Sequence, residues 1–505
     1  MQNIVLNSDS ATSLLAMLPA ILLTVLAMTV GVLDIFWKAS RRREIGIVSA
    51  VSLFGIALVS LVVTPPADPS AQLVLGGMYR FDTLTQFFVT AITFGAAITC
   101  LISLDSPHIG RMGEFYAVLI VATLGGCLMA GSADLIMAFL ALETLSISLY
   151  MLAGFLTASP RSAEAGIKYF LFGAFTSAIM LYGFSLIYGF TGSTNFYVIG
   201  QKFATMFGES VEATTLLPIV LAMIMVMVGF GFKVSAVPFH FWTPDVYEGA
   251  PTPVTAYISV ASKAASFALL TRFFIVVFQG DDPTRFWVQM LAILAVVTMT
   301  VGNLFALVQK NIKRLIAYSS IAQAGYALIG VAAVAAQPSS APGAGAAAVG
   351  FYMAMYILTN LAAFGVIVIV AKVKDSEQIA DFAGLSRRNL GLALTLTVAL
   401  LSLAGIPPAA GFFGKFFLFK AAVDANLTWL AVVGILNAMI ALYYYIIVIK
   451  VLFVDVGTDE DKPIVVGAPY VWALGITTVL VVLLGTVLAT PIFDWASRAA
   501  AGLFS

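Results

Sequence analysis

Four ionisable residues stand in the middle of long apolar runs: Glu143, Lys233, Lys263 and Lys415. An ionised side chain at mid-membrane costs about 2.5–3.5 kcal/mol, so four of them cost about 10–14 kcal/mol. Residues retained at such cost turn towards a bundle interior or a water-filled cavity, where they mark ion or proton paths. Burial also shifts their proton affinities into a range where exchange becomes possible. A structural ion pair could explain Glu143 with one lysine. Three lysines cannot all be neutralised by one carboxylate, so the pattern favours a proton or ion relay.

The elements that must position these residues follow from composition. The chain has 505 residues, 61% hydrophobic and 10% charged, with mean hydropathy +1.03. Soluble domains are about 45–50% apolar and about 25% charged. The 25 basic and 25 acidic residues cancel, so no field of one sign points at nucleic acid. Cys100 and Cys127 stand alone in apolar runs and cannot build a disulfide framework, zinc site or iron–sulfur cluster. His108 and His240 cannot supply paired haem ligands, and no phosphate-binding glycine loop is present. A soluble enzyme, a disordered chain and a nucleic-acid binder are excluded.

About 20 apolar residues span a bilayer. Runs of that kind cover roughly 14–37, 45–64, 84–104, 114–131, 134–156, 165–191 and 215–241, then 252–279, 287–308, 313–335, 345–373, 391–424, 427–453 and 468–493. The expected fold is an all-α polytopic membrane protein of about fourteen helices. Lys38, Arg41, Arg42 and Arg43 follow the first run, which places that loop in the cytoplasm and both termini outside. On alternate loops, most remaining Lys and Arg, among them Arg111, Lys168, Lys313, Lys372 and Arg388, fall on that same side. Arg80, Lys202, Arg272, Arg285, Lys420 and Arg498 fall opposite. The acidic stretch Asp455 to Asp461 reads as a solvated loop, and Tyr443-Tyr-Tyr445 as a packing seam in preference to a channel lining.

Two of the lysines sit in interrupted runs. Lys233 lies in Gly229-Phe-Gly-Phe-Lys-Val-Ser-Ala-Val-Pro238, and Lys415 follows Gly405-Ile-Pro-Pro408. Glycine and proline free backbone groups inside a membrane, which is tolerable only in protein or beside water. Broken helices in corresponding halves point to inverted-repeat transporters. The seventh and twelfth runs are five apart and so antiparallel, as expected of two inverted five-helix repeats, helices 4–8 and 9–13. The expected divisions are 1–113, 114–279, 280–456 and 457–505, holding the first three helices, the two repeats and the last helix.

Val237-Pro-Phe-His-Phe-Trp-Thr-Pro-Asp-Val-Tyr-Glu-Gly-Ala-Pro-Thr-Pro253 closely resembles a signature of the antiporter-like subunits of respiratory complex I, the bacterial NADH-quinone oxidoreductase. Asn311-Ile-Lys-Arg-Leu-Ile-Ala-Tyr-Ser-Ser320, and Leu403-Ala-Gly-Ile-Pro-Pro408 with Gly411-Phe-Phe-Gly-Lys415, resemble two more motifs of that family. The Tyr247-Glu-Gly-Ala-Pro251 ending looks like the N-type members, and Lys415 stands where M-type members usually carry Glu. Gln323 departs from relatives that often have His there, which puts a titratable step at that position in doubt.

The resemblance implies that Glu143 and Lys233 form the coupled pair of a first half-channel, with Lys263 the central relay and Lys415 leading outward. Lys168 matches a lysine tied to the same network or is an interfacial anchor; His240 lies near the cytoplasmic entrance or packs a loop. It further implies no cofactor in this chain, with FMN, iron–sulfur clusters and quinone in partner subunits. The expected partners are other membrane-arm subunits, M-type and small K/J-type ones included, and membrane lipids in the bacterial inner membrane. A multisubunit sodium/proton antiporter or membrane-bound hydrogenase resembles the same family and would exchange ions without quinone chemistry. A purely structural spacer would tolerate neutral residues in place of the buried lysines.

Overall fold

The computed structural model describes residues 10–38, 41–207, 213–335, 343–457 and 462–504. Within these, the first half contains α1 (Ser10–Phe36), α2 (Arg42–Val62), α3 (Thr83–Ser103), α4 (Gly113–Gly131), α5 (Leu135–Ala153), α6 (Pro160–Thr191), the short α7 (Phe196–Met206), α8 (Ala213–Val234), α9 (Trp242–Gly249), α10 (Thr252–Tyr257) and α11 (Lys263–Val277). The second contains α12 (Asp281–Ala306), α13 (Ile312–Ala335), α14 (Ala344–Lys374), α15 (Leu385–Arg388), α16 (Leu390–Ala404), α17 (Ala410–Asp424), α18 (Thr428–Phe453), α19 (Ala468–Leu484) and α20 (Ala489–Ala501). A small hairpin, β1 (Leu73–Val74) and β2 (Tyr79–Arg80), precedes α3. Of the acidic stretch Asp455 to Asp461, residues 458–461 lie outside the described residues.

Twelve of the described helices are long and apolar enough to cross a membrane. The last expected run is instead a pair: α19 and α20 meet at 84°, and counting them as one span gives thirteen. The expected twelfth run is likewise divided, into the short apolar α16 and α17. Fourteen is therefore an approximate count. Span eight is continuous over Thr252–Val277, but a π-helical turn, Ile258–Ser262, inserts between α10 and α11 immediately before Lys263. The sequence gives no periodicity signal for that turn.

Local chemistry explains the boundaries. Asp82 starts α3 by accepting from Thr85 N, Asp134 starts α5 by accepting from Ile136 N, and Asn389 starts α16 by accepting from Leu392 N. Each satisfies an amide that the helix itself leaves unpaired. Gly405, at φ 88°, ends α16 in the left-handed region that a side chain disfavours. Both breaks carry a cis X–Pro bond, Val237-Pro238 and Pro407-Pro408.

Three spans form the centre: Thr252–Val277, Ile312–Val334 and Ala344–Lys374 are each 94% buried, against 28% for the first span. Helices apolar all round and this buried form a core rather than a lipid-facing wall. The central helices carry Lys263, the Ser319–Tyr326 stretch and Tyr352 with Tyr356.

Candidate functional site

The two broken helices aim differently supported lysines at this core. At the first, Lys233 is the penultimate residue of α8 and is 2% exposed. Its Nζ has no hydrogen-bond partner and sits over the rings of Tyr150 (5.3 Å), Tyr169 (5.6 Å) and Phe232 (5.4 Å). A cation over aromatic faces is attracted by their quadrupoles but gains no directional bond. Gly173 lets Tyr150 reach this position, because a Cβ there would collide with the Tyr150 hydroxyl. Half-buried Glu143 on α5 leaves its Oε1 unpaired, and no ion pair joins it to Lys233 among the described residues. The region also holds unpartnered hydroxyls on Tyr150, Tyr169, Ser235 and Thr243 and an unpartnered His240 Nδ1.

At the second break the cation is held. Lys415 Nζ donates to the carbonyls of Leu403 (2.8 Å) and Ala404 (3.1 Å), and lies 4.5 Å from the Tyr326 ring centroid. These carbonyls end α16, where a helix presents unpaired acceptors and the negative end of its dipole. Gly411 opens α17 close to α16, since a Cβ there would run into the Ser402 carbonyl.

Between the breaks, Lys263 Nζ donates to Ser320 O (2.7 Å) and Ser320 Oγ (2.6 Å). Ser320 Oγ also accepts from Tyr356 OH (2.8 Å) and lies 3.1 Å from Tyr247 OH. One turn along α13, Gln323 Nε2 donates to Leu403 O (2.9 Å), an acceptor it shares with Lys415, and its Oε1 accepts from Tyr352 OH. Tyr445 OH bonds Ser319 Oγ and accepts from Gln323, while Tyr444 OH donates to Asn303 Oδ1 (3.0 Å). Tyr444 and Tyr445 therefore enter the polar core and only Tyr443 faces outward, which corrects the packing-seam reading. Lys263 thus bonds Ser320, and Gln323 and Lys415 meet on the shared Leu403 carbonyl, with one helical turn of α13 between Ser320 and Gln323.

Lys168 and His240 occupy other places. Lys168 pairs with Asp245 (2.6 Å) and Glu164 (2.7 Å), and Arg314 pairs with Asp245 (3.0 Å) and Glu248 (2.8 Å), at one end of the bundle. Asp245 is desolvated, yet Lys168 and Arg314 hold its carboxyl below the usual carboxylate range. His240 lies in the α8–α9 break against Phe241.

Three cavities with shared lining residues connect Arg42, Arg111, Lys372, Arg161, Lys168 and Arg314 along that same end. These cations, all assigned to one side by the loop pattern, therefore share one face.

Sequence reasoning missed two pairs. Lys313, expected in a loop, is 2% exposed and bonds Glu377 (2.9 Å) and the carbonyls of Glu248 and Ala250. Arg272, expected at a helix end, is fully buried and bidentate on Asp82 (2.7 and 2.9 Å), with Arg80 alongside. Asp82 and Arg272 are 190 positions apart, so no local pattern could have joined them.

Residues 132–441 match the model of the NADH:quinone oxidoreductase/Mrp antiporter transmembrane family. The chain is 41% identical over 490 residues to the NADH-quinone oxidoreductase subunit N of Moorella thermoacetica, covering 96% of this chain and 98% of that one. It also resembles a chain of respiratory complex I from Thermus thermophilus at 31% identity and TM-score 0.77, covering 95% of this chain and all of that one. A chain of the Mrp complex from Dietzia shares the fold at 20% identity and TM-score 0.81, covering 98% of both.

Proposed function

This chain belongs to the subunit N family of NADH-quinone oxidoreductase, and from that membership we propose that it carries protons across the membrane through Glu143, Lys233, Lys263 and Lys415. It is a multi-pass membrane protein and a membrane-arm subunit of the complex. The observation that carries the proposal is the line of buried lysines, Lys233, Lys263 and Lys415, along a polar core through an otherwise apolar bundle. Retaining three buried cations is costly, and the cost is explained if they exchange protons.

Quinone reduction in a partner subunit changes the field at Glu143. When the carboxylate approaches Lys233, opposite charges favour the protonated amine. When it withdraws, Lys233 retains only ring contacts and gives its proton inward. Water and the hydroxyls of Tyr169 and Tyr247 bridge to Lys263, because buried polar groups without protein partners are normally met by ordered water. Protonated Lys263 then repels the charge on Lys415, which releases its proton outward. Gln323 bonds on both sides but cannot titrate, so the proton passes it through water or the Tyr352, Tyr445 and Ser319 hydroxyls. Each charge moved outward works against about 2.3 kcal/mol per 100 mV, and the redox chemistry of partner subunits supplies it.

In this reading FMN, iron–sulfur clusters and quinone sit in partner subunits. M-type and small K/J-type subunits flank the chain in the bacterial inner membrane, and the face bearing Lys168, Lys313 and Lys372 is cytoplasmic. The test is a mild-detergent pull-down of the tagged chain, assayed for flavin, iron–sulfur absorbance and inhibitor-sensitive NADH:quinone activity. Co-purification is expected, with Glu143→Gln impairing coupled quinone reduction while NADH oxidation by artificial acceptors continues. Recovery with membrane subunits lacking redox centres would favour an ion antiporter. Unchanged pumping in Glu143→Gln would refute the relay.

A further inference from the structure

The loop between α3 and α4 closes a cavity that the relay does not use. It holds about 590 Å3 and is lined by Arg42, His108, Arg111 and Lys372 together with apolar Leu104, Pro107 and Met112. Asp105 is its only acidic lining residue, and Asp105 is already occupied: Arg43 Nε donates to Oδ1 (3.0 Å) and Lys372 Nζ to its main-chain oxygen (3.0 Å). Arg42 forms an ion pair with Asp34 at 3.6 Å, and its buried Nε makes no hydrogen bond. Arg111 is exposed and has no ion-pair partner among the described residues. Net positive charge therefore remains in a pocket with an apolar wall.

The wall is fixed. Gly113 N donates to Asp34 (3.1 Å), which ties α4 to the end of α1, and Tyr116 OH donates to Gly110 O (3.1 Å) beneath the loop. Val32, Ile35 and Phe36, on the last turns of α1 beside Asp34, are 51%, 79% and 78% exposed. Cations at the head of a membrane-spanning pair, above bare apolar helix faces, match a molecule with an anionic head and aliphatic tails.

We propose that this cavity binds the phosphodiester headgroup of an anionic phospholipid, with Arg42, Arg111 and Lys372 as ligands and the acyl chains lying along α1. A free phosphate would use the cations but leave the Leu104, Pro107 and Met112 wall and the end of α1 bare.

The test is native mass spectrometry of the full-length chain in mild detergent, titrated with phosphatidylglycerol, phosphatidylcholine or inorganic phosphate. Phosphatidylglycerol should remain as a stoichiometric adduct where phosphatidylcholine does not. Each of Arg42→Gln, Arg111→Gln and Lys372→Gln should weaken it about fivefold. Lys420→Gln, an exposed cation paired with Asp424 elsewhere, should leave it unchanged, and Arg111→Lys should restore most of the binding lost in Arg111→Gln. The variants must keep the melting temperature of the parent, so that lost binding is not unfolding. Equal retention of both lipids, or unchanged binding in all three Gln variants, would overturn the proposal. Complete displacement by inorganic phosphate would make the pocket a small-anion site instead. Loss of the adduct in the assembled complex would assign the cations to an acidic surface of a neighbouring subunit.

Discussion

The two broken helices place a lysine at similar points of similar elements and hold them in opposite ways. Around α8–α9, Lys233 has no hydrogen bond, and seven of the twelve buried side-chain polar atoms without a partner among the described residues gather there. Around α16–α17, Lys415 bonds two helix-end carbonyls, and Gln323, Tyr352, Tyr445 and Ser319 are all paired. A buried donor that bonds only transiently exchanges its proton readily, whereas one fixed on carbonyls holds position and gives it up only when pushed. In the proposed relay, this difference makes the first half the part that switches and the second the part that responds. The last helices reinforce the difference: a Cβ at Gly485 of the α19–α20 junction would collide with Pro408 O, and Phe493 of α20 stacks on Phe417 of α17 at 3.9 Å. The first break is braced within its own half instead: Trp242 Nε1 donates to Phe232 O (3.0 Å) and its ring stacks on Tyr169 at 4.3 Å.

Substitutions can break this comparison. Around the two breaks the largest effect is expected at Gly411, where alanine forces α17 away from the Ser402 carbonyl. Overpacking of this kind costs about 1–3 kcal/mol, and coupled activity should fall more than tenfold. A melting curve and inhibitor-sensitive NADH:quinone activity in membranes would measure both.

Next come the lysines themselves. Lys233→Met and Lys415→Met should each lower coupled activity by at least about tenfold, the lower range for losing one proton-transfer group. Their stabilities should diverge. Lys415→Met strands the Ala404 carbonyl and costs about 1–3 kcal/mol, whereas Lys233→Met loses no hydrogen bond and removes an unpaired buried charge. Melting temperature should therefore drop only for Lys415→Met; equal drops would erase the distinction.

A smaller loss is expected for Gln323→Leu. It strands Tyr352 OH and costs about 1–2 kcal/mol, while Lys415 keeps its own carbonyls, so coupled activity should fall only a few-fold. Gln323→His should restore it. The smallest effect is Tyr169→Phe. Its hydroxyl has no protein partner, so stability should change by less than about 0.5 kcal/mol, while turnover slows because a bridging hydroxyl is gone. An unchanged rate would remove Tyr169 from the path.

Much of this was legible in the sequence because membrane helices are written in long apolar runs, and a lysine inside one is conspicuous. Lys233, Lys263 and Lys415 stand out that way and are buried in the bundle, Glu143 stands out likewise and is half-buried, and Gly405-Ile-Pro-Pro408 announces its break. What the sequence does not show depends on distance along the chain. The Asp82–Arg272 and Lys313–Glu377 pairs join segments that no periodicity connects. Tyr444 and Tyr445 differ from Tyr443 only in the face of α18 they occupy. The turn between α19 and α20 follows Gly485 in a run whose composition reads as a continuous span. The inverted-repeat pattern predicts that a second break exists, but not that its lysine is held by backbone carbonyls.

The most direct test is proton pumping by the complex carrying Lys263→Ala in inverted membrane vesicles, followed with a pH-sensitive dye alongside NADH oxidation by an artificial acceptor. Lys263 bonds Ser320 at the junction of the two halves, so its loss should abolish the pH gradient and the coupled quinone reaction while leaving the artificial-acceptor rate intact. A gradient of parental size at parental quinone turnover would contradict the relay.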